Sequence, residues 1–288
     1  MSKFADIQIR RFFYAPNYVR AFGIVWGIRL LLSIERILPQ KSNAVRPVNG
    51  PGFPAPVYLR ECVSDHAIFW QCLVMRQYDL SLFVQTTRLM EQYWKIVTAG
   101  RSPIIIDAGG NIGLAAFWFA RTFPESVIIS VEPESANFAL LQRNVATFGD
   151  RVRPVHGAVT ETPKAMRIIN PDAGAASFQL EPGGSTDATV DGYTIDELSA
   201  NVDHGDLFIV KIDIEGSQKF LFIENSDWID KVHLIVIEIE DWQFPWQATC
   251  ESFFKEMSKR RFDYLIRGEN LFCYRHLPDY GGVDATLS

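Results

Sequence analysis

From Ser102 to about Asp241 the chain alternates two rhythms. Short apolar runs recur: "PIIIDA", "SVIISVEP", "VRPVHGAV", "LFIVKIDIEG" and "HLIVIEIED". Between the first three lie "GLAAFWFARTF" and "SANFALLQRNVATFG", whose apolar residues recur at helical spacing. The apolar runs lack strict in-out alternation, which suits strands buried on both faces of a parallel sheet. Strands alternating with helices predict a doubly wound, mostly parallel α/β sheet, with ligands at the carboxyl ends of its strands.

Before Ser102 the pattern differs. "AFGIVWGIRLLLSI" (Ala21–Ile34) is apolar except for Arg29 and Ser33, with Arg20 before it and Glu35 and Arg36 after it. That run is short of the roughly 20 residues that span a bilayer, and no small-residue cleavage site follows it. It predicts a helix packed on the body of the protein or on a second subunit, or one lying on a membrane surface. Residues 39–56 hold five prolines and two glycines, a linker or extended arm. "VYLREC" reads as a strand. Ser64–Leu80, capped by Ser64, and about Ser81–Thr98, ended by Gly100, read as helices. The Gly-, Ala-, Ser- and Pro-rich stretch between Ile168 and Val190 reads as a substrate-facing insertion. The expected organisation is an N-terminal basic helix and linker (1–56), a helical lead-in (57–100), the α/β domain (101–276) and a tail (277–288).

Charge sharpens this picture. The 288 residues carry a net −6, which argues against nucleic acid as the main partner. Residues 1–46 hold eight basic and two acidic side chains, net +6, leaving −12 on the remainder. Such asymmetry marks the N-terminus for an anionic partner, a peripheral membrane contact among them. The four cysteines (Cys62, Cys72, Cys250, Cys273) form no C-x-x-C pair and have no histidine at zinc-finger spacing. They predict reduced, mostly buried thiols in a cytoplasmic protein.

The candidate chemistry begins in "IIIDAGGNIGLAAF" (Ile104–Phe117). A P-loop would need a Lys-Ser or Lys-Thr after its glycines, and a dinucleotide loop a glycine where Asn111 stands. The pattern is Asp107, Gly109, Gly110, Asn111, Gly113. Asn tolerates a left-handed backbone but adds a side chain where a pyrophosphate needs bare backbone. A nucleoside without phosphates fits better, and S-adenosylmethionine is one. Gly109 and Gly113 would let the backbone approach it, and Asp107 or loop groups would face its ammonium or fixed water. Glu132, 19 residues after Gly113 at the end of "VIISVE", is placed to accept from both ribose hydroxyls. "VKIDIEGS" brings Asp213 and Glu215 to the end of the fourth strand, with Lys211 available for a structural ion pair instead.

Together "IIIDAGGNIGLAAFWFA", "SVEPESANFALLQRN", "DGYTIDEL", "VKIDIEGSQKFL" and "LIVIEIED" resemble the FkbM family of S-adenosylmethionine-dependent methyltransferases, over roughly Leu59 to Tyr274. "RECVSDHAIFWQCLVMRQYDL" resembles the segment preceding that fold. The resemblance implies a Rossmann-like sheet and methyl transfer, often to a hydroxyl of a sugar, glycan or natural product. It places the cofactor on Asp107, Gly109, Asn111, Gly113 and Glu132, and matches Asp213 and Glu215 to an acidic block. Gln218 departs from it, since an acid is usual there, and so does the basic N-terminus.

Asp213 is the first candidate base for an acceptor hydroxyl, with Glu215 and Glu238 as further acids to orient it. His156, His204 and His233 are weaker candidates. The pattern calls for no metal; the alternative is Mg²⁺ held by Asp213 with Glu238, Glu240 or Asp241. "DWQFPW" (Asp241–Trp246) could stack on a sugar or apolar ring, or close the core, or meet a second copy. Two other readings stay open: an NAD-dependent oxidoreductase, and a catalytically inactive cofactor-binding scaffold.

Overall fold

The computed structural model describes residues 3–35, 42–168, 180–182, 189–214, 217–243 and 245–276. Helices are α1 (Lys3–Ile34), α2 (Val63–Phe69), α3 (Gln85–Thr98), α4 (Leu114–Thr122), α5 (Ser135–Val145), α6 (Ile195–Ala200), α7 (Gln218–Leu221) and α8 (Glu251–Met257). Strands are β1 (Ser42–Val48), β2 (Val57–Glu61), β3 (Ser102–Ala108), β4 (Val127–Glu132), β5 (Val152–His156), β6 (Ala158–Val159), β7 (Ala165–Ile168), β8 (Leu180–Pro182), β9 (Val190–Tyr193), β10 (Gly205–Ile212), β11 (Leu234–Glu238), β12 (Phe262–Arg267) and β13 (Asn270–Arg275).

The expected sheet is present, with seven strands in the order β12-β13-β11-β10-β3-β4-β5. The pairs β5–β4, β4–β3, β3–β10 and β10–β11 are parallel; β13 runs antiparallel to both β11 and β12. The order reverses between β3 and β10, and a cleft opens at the carboxyl ends of strands at such a point. Of the runs read as two-sided strands, β3, β10 and β11 are deeply buried, with Ile104, Ile105, Ile106, Val210, Ile212, Val236 and Ile237 each at most 1% exposed, whereas β5, at the sheet edge, is only partly buried. Phe117, Phe119 and Phe208 fill the core on one face; Trp228, Phe222 and Phe253 fill it on the other.

The N-terminal portion departs from the sequence reading in three ways. The apolar run is not one rod: Gly23 (φ 76°, ψ 169°) breaks α1, and its arms fold back on each other. Arg11 Nε donates to the Glu35 carbonyl at 2.8 Å, and Tyr18 Oη donates to the Glu35 carboxylate at 3.2 Å. Gly27 is needed where the arms cross, since a Cβ there would stand 2.7 Å from the Tyr18 carbonyl oxygen. Second, the "linker" contains β1, which pairs antiparallel with β2. Third, α2 starts at Val63 rather than after a Ser64 cap, and gives way to a π-helical turn at Trp70–Val74. Tyr14 stacks on Trp70 at 4.0 Å, which seats the hairpin on that turn.

The insertion contributes β8, which pairs with β7 just before it in a small sheet of order β6-β9-β7-β8. The rest of it, and the tail at 277–288, lie outside the described residues. Cys62 is half-buried and the other three cysteines are buried, all unpaired.

Candidate functional site

The β3–α4 loop turns sharply, with Gly109 (φ 80°), Asn111 (φ 47°) and Gly113 (φ 84°) in the left-handed region. Asn111 tolerates this and helps set it, its Oδ1 accepting from the Ile112 amide at 2.8 Å. The glycines answer to the protein itself. A Cβ on Gly109 would lie 1.8 Å from the Asp213 carbonyl oxygen, and one on Gly110 2.3 Å from Ser130 Oγ. One on Gly113 would crowd Leu141 and Val145 at 3.2 Å. These three residues let the loop nest between β10, β4 and α5, and of them Gly109 also lines the cleft.

Glu132 closes β4 where expected. It is buried, yet its carboxylate lines the cleft. Oε2 accepts from the Asn111 amide at 2.8 Å, and Oε1 from the Glu134 amide at 2.9 Å and Asn137 Nδ2 at 3.4 Å. Burial pushes its pKa up to about 7, against the pull of the two amides and Asn137. Asn137 Oδ1 in turn accepts from Arg60 Nη2 at 2.6 Å, and Arg60 pairs with Asp65 at 2.8 Å. The lead-in is thereby tied to the carboxylate of the site.

Asp107 lies elsewhere than predicted. It is fully buried beneath the loop, accepting from Ser130 Oγ at 2.7 Å and pairing with Lys211 Nζ at 3.2 Å. It does not line the cleft, so it is not positioned to meet a cofactor ammonium. Lys211 is the hub. Its Nζ donates to the Gly109 carbonyl at 2.7 Å and lies 3.3 Å from Asp213 Oδ2. Burial alone would lower the pKa of Lys211; Asp107 and Asp213 overcome this and hold it well above the ordinary lysine value. The structural ion pair and the site role weighed for this block are thus one network, with Lys211 joining the loop to Asp213.

Asp213 and Glu238, at the carboxyl ends of β10 and β11, both line the cleft. Glu215 lies outside the described residues. The strand ends at Glu238, so Glu240 does not share its face: Glu240 is buried under the following turn, and Asp241 accepts from Thr249 Oγ1 at 2.7 Å. Of the acids considered for Mg²⁺, Asp213 and Glu238 share the cleft while Glu240 and Asp241 do not line it, and the described residues contain no group of three metal-ligating side chains. Gln218 is buried, its Nε2 reaching the Glu238 carbonyl at 3.5 Å. An ionised acid there could not donate that bond. The histidines stand away from the chemistry. His156 stacks on Phe138 at 4.8 Å, and His204 and His233 precede β10 and β11 at the strands' amino ends.

The cleft is a cavity of about 190 Å³, open at its mouth. Its polar lining includes Glu132, Asp213, Glu238 and Glu269, and no lysine or arginine among the described residues. Sequence reading missed Gln71, Asn137, Ala158, Val159 and Glu269. Of "DWQFPW", Trp242 and Gln243 line the cleft, Trp246 is fully exposed, and Phe244 lies outside the described residues.

The profile of the methyltransferase FkbM domain matches residues 107–266, more than half of the chain. The chain belongs to the FkbM methyltransferase family. Within this family member, the local relatives are fungal. Methyltransferase 1 of Beauveria bassiana is 32% identical over 63 residues, 22% of this chain and 25% of that protein. Methyltransferase sdnD of Sordaria araneosa is 31% identical over 64 residues, again 22% and 25%. The chain thus spans about a quarter of the length of these relatives. Among solved structures, a methyltransferase from Geobacter sulfurreducens is 17% identical with a TM-score of 0.32, covering 67% of this chain and 80% of that one.

Proposed function

We propose that this FkbM methyltransferase binds S-adenosylmethionine in the cleft and transfers its methyl group to an acceptor hydroxyl. The observation that carries the reading is the charge of the lining: four acids and no basic residue among the described ones. A dinucleotide or a triphosphate would meet repulsion there, whereas a ligand bearing a sulfonium and an ammonium meets attraction. This weighs against an NAD-dependent oxidoreductase. The residues present fit the cofactor. Glu132 offers both oxygens at the end of β4 to a ribose, Asn137 fixes that carboxylate, and the 109–111 turn forms the wall beside it.

When bound, the cofactor supplies a methyl already activated as a sulfonium substituent. The protein's part is to orient the acceptor oxygen and take its proton. Asp213 supports this reading, partly exposed in the cleft with one oxygen anchored by Lys211, and Glu238 lines the same cleft from the end of the next strand. Asp213 would accept the proton that the acceptor hydroxyl gives up on methylation and pass it on to solvent. Asp213→Asn should leave S-adenosylmethionine affinity within threefold by calorimetry and slow transfer by about 10²–10⁴. Mass spectrometry of extracts treated with labelled S-adenosylmethionine reads the rate as gain of one methyl. An unaltered rate removes Asp213 as base; tight binding without any product marks the chain as a scaffold.

Glu132 makes cofactor affinity depend on pH. Hydroxyl donors favour the ionised carboxylate, so binding expels a proton wherever the free site is protonated. With a pKa of about 7, affinity should fall as pH drops below 7, by up to tenfold per unit. Glu132→Gln should bind weakly and lose that slope; a pH-independent wild type would contradict the assignment.

The α1 hairpin supports a membrane-peripheral reading. Ile24, Val25, Ile28 and Leu32 form one stripe on its second arm, 46–78% exposed, with Phe12 and Phe13 exposed on the first. Arg20 and Arg29 are exposed beside them, Arg29 over the Trp26 ring at 5.0 Å. Apolar stripe and arginines together suit an anionic lipid surface. Ile24→Glu with Ile28→Glu should lower co-sedimentation with phosphatidylserine vesicles at least tenfold. Equal recovery would overturn it, as would a wild-type dimer that this variant splits.

A further inference from the structure

Beside the cleft runs an apolar trough. Its floor is the face of β12 that carries Tyr264 and Ile266, two residues apart and so on the same side of the strand. Phe254 and Ser258, on and just after α8, form one wall; Ile239, Trp242 and the β12–β13 turn form the other. Ile266 is 78% exposed, Trp242 66% and Phe254 49%. Scattered exposed apolar residues are ordinary, but several converging on one concavity mark a binding surface. Glu269 is the only charged side chain in the lining among the described residues. Trp242 and Glu269 also line the cleft, so the trough is continuous with the place where Asp213 and Glu238 stand.

We propose that the trough seats the hydrocarbon part of the methyl acceptor. The acceptor is then an amphipathic alcohol. Its hydroxyl enters the acidic cleft past Trp242, and its alkyl or ring portion lies along Tyr264, Ile266 and Phe254. This rests on the methyl-transfer reading above. Continuity with the cleft favours an acceptor over a second copy of the chain, and so do Asp263 and Arg267 within the edge strand β12, since charges on an edge discourage strand pairing.

The test uses the full-length protein with 1-N-phenylnaphthylamine as a fluorescent reporter. It is displaced by hexyl, octyl and decyl β-D-glucosides below their micelle concentrations. Each added methylene should tighten wild-type binding about two- to fourfold. Ile266→Asp and Phe254→Ser, both at exposed positions and checked by thermal melting, should flatten that dependence. Calorimetry with S-adenosylmethionine on the same samples should give wild-type affinity. A wild type indifferent to chain length, or both variants keeping its slope, overturns the trough. So does a wild-type dimer that Ile266→Asp converts to monomer. If the slope behaves as expected and S-adenosylmethionine does not bind, the trough stands and the cofactor reading fails.

Discussion

Gly109→Val should abolish S-adenosylmethionine binding, with affinity falling at least 100-fold by calorimetry and the melting temperature dropping by several degrees. Two costs add. Position 109 sits at φ 80°, where a side chain costs about 1–2 kcal/mol and a β-branched one more. The larger cost is steric. The new Cβ would lie 1.8 Å from the Asp213 carbonyl oxygen and 2.8 Å from its carbon, and backbone in the middle of a parallel sheet cannot step aside cheaply. The loop must lift from β10, carrying Asn111 away from Glu132 and the Gly109 carbonyl away from Lys211. Gly100→Ala separates the two costs. Gly100 has φ 72° but nothing within 4 Å of a Cβ, so it should lose about 1–2 kcal/mol of stability and no affinity. Wild-type affinity in Gly109→Val would refute the loop as part of the cofactor site.

That experiment also tests what a glycine pattern tells a reader. The loop was legible because a strand, three glycines and a helix leave a distinctive trace. Its reason was not, because the atoms that demand those glycines belong to Asp213, Ser130 and Leu141, brought there by the sheet. Glu132 was legible for a similar local cause: an acid ending the second strand has one place to go. Asp107 was misjudged because its partners come from register. It lies opposite Lys211 on β10 and Ser130 on β4, and no single strand reveals what its neighbours carry. In the N-terminal run a single glycine inside an apolar helical pattern does not announce a break, so the fold-back at Gly23 shows only in its backbone angles and in the contacts of Arg11, Tyr18 and Gly27 across the two arms. β12 and β13 went unread although "FDYLIR" alternates and "RGEN" turns. They lie beyond the alternation of helices and strands, and they carry the trough.

Lys211→Met should cost about 3–5 kcal/mol of stability in denaturant titrations, the usual price of leaving one member of a buried ion pair behind. Met nearly preserves the length of the side chain, so the loss is of charge and hydrogen bonds rather than volume. Asp107, fully buried, would keep only the Ser130 hydroxyl, and the Gly109 carbonyl would lose its donor. The pH dependence distinguishes this from a packing defect. Without the ammonium, burial raises the pKa of Asp107 in the folded variant above its unfolded value of about 3.9. The folded state then holds a proton that the unfolded state releases. Stability of the variant should therefore decline as pH rises from about 4, by up to about 1.4 kcal/mol per unit until the raised pKa is reached. Asp107→Asn in the Lys211→Met background removes the stranded acid and should restore much of the loss and erase the slope. Methyl transfer should stay impaired in that double variant, because Asp213 has still lost the ammonium that fixes it against the loop. A single variant as stable as the wild type, with a flat pH profile, would show that Lys211 does not hold the loop and Asp213 together.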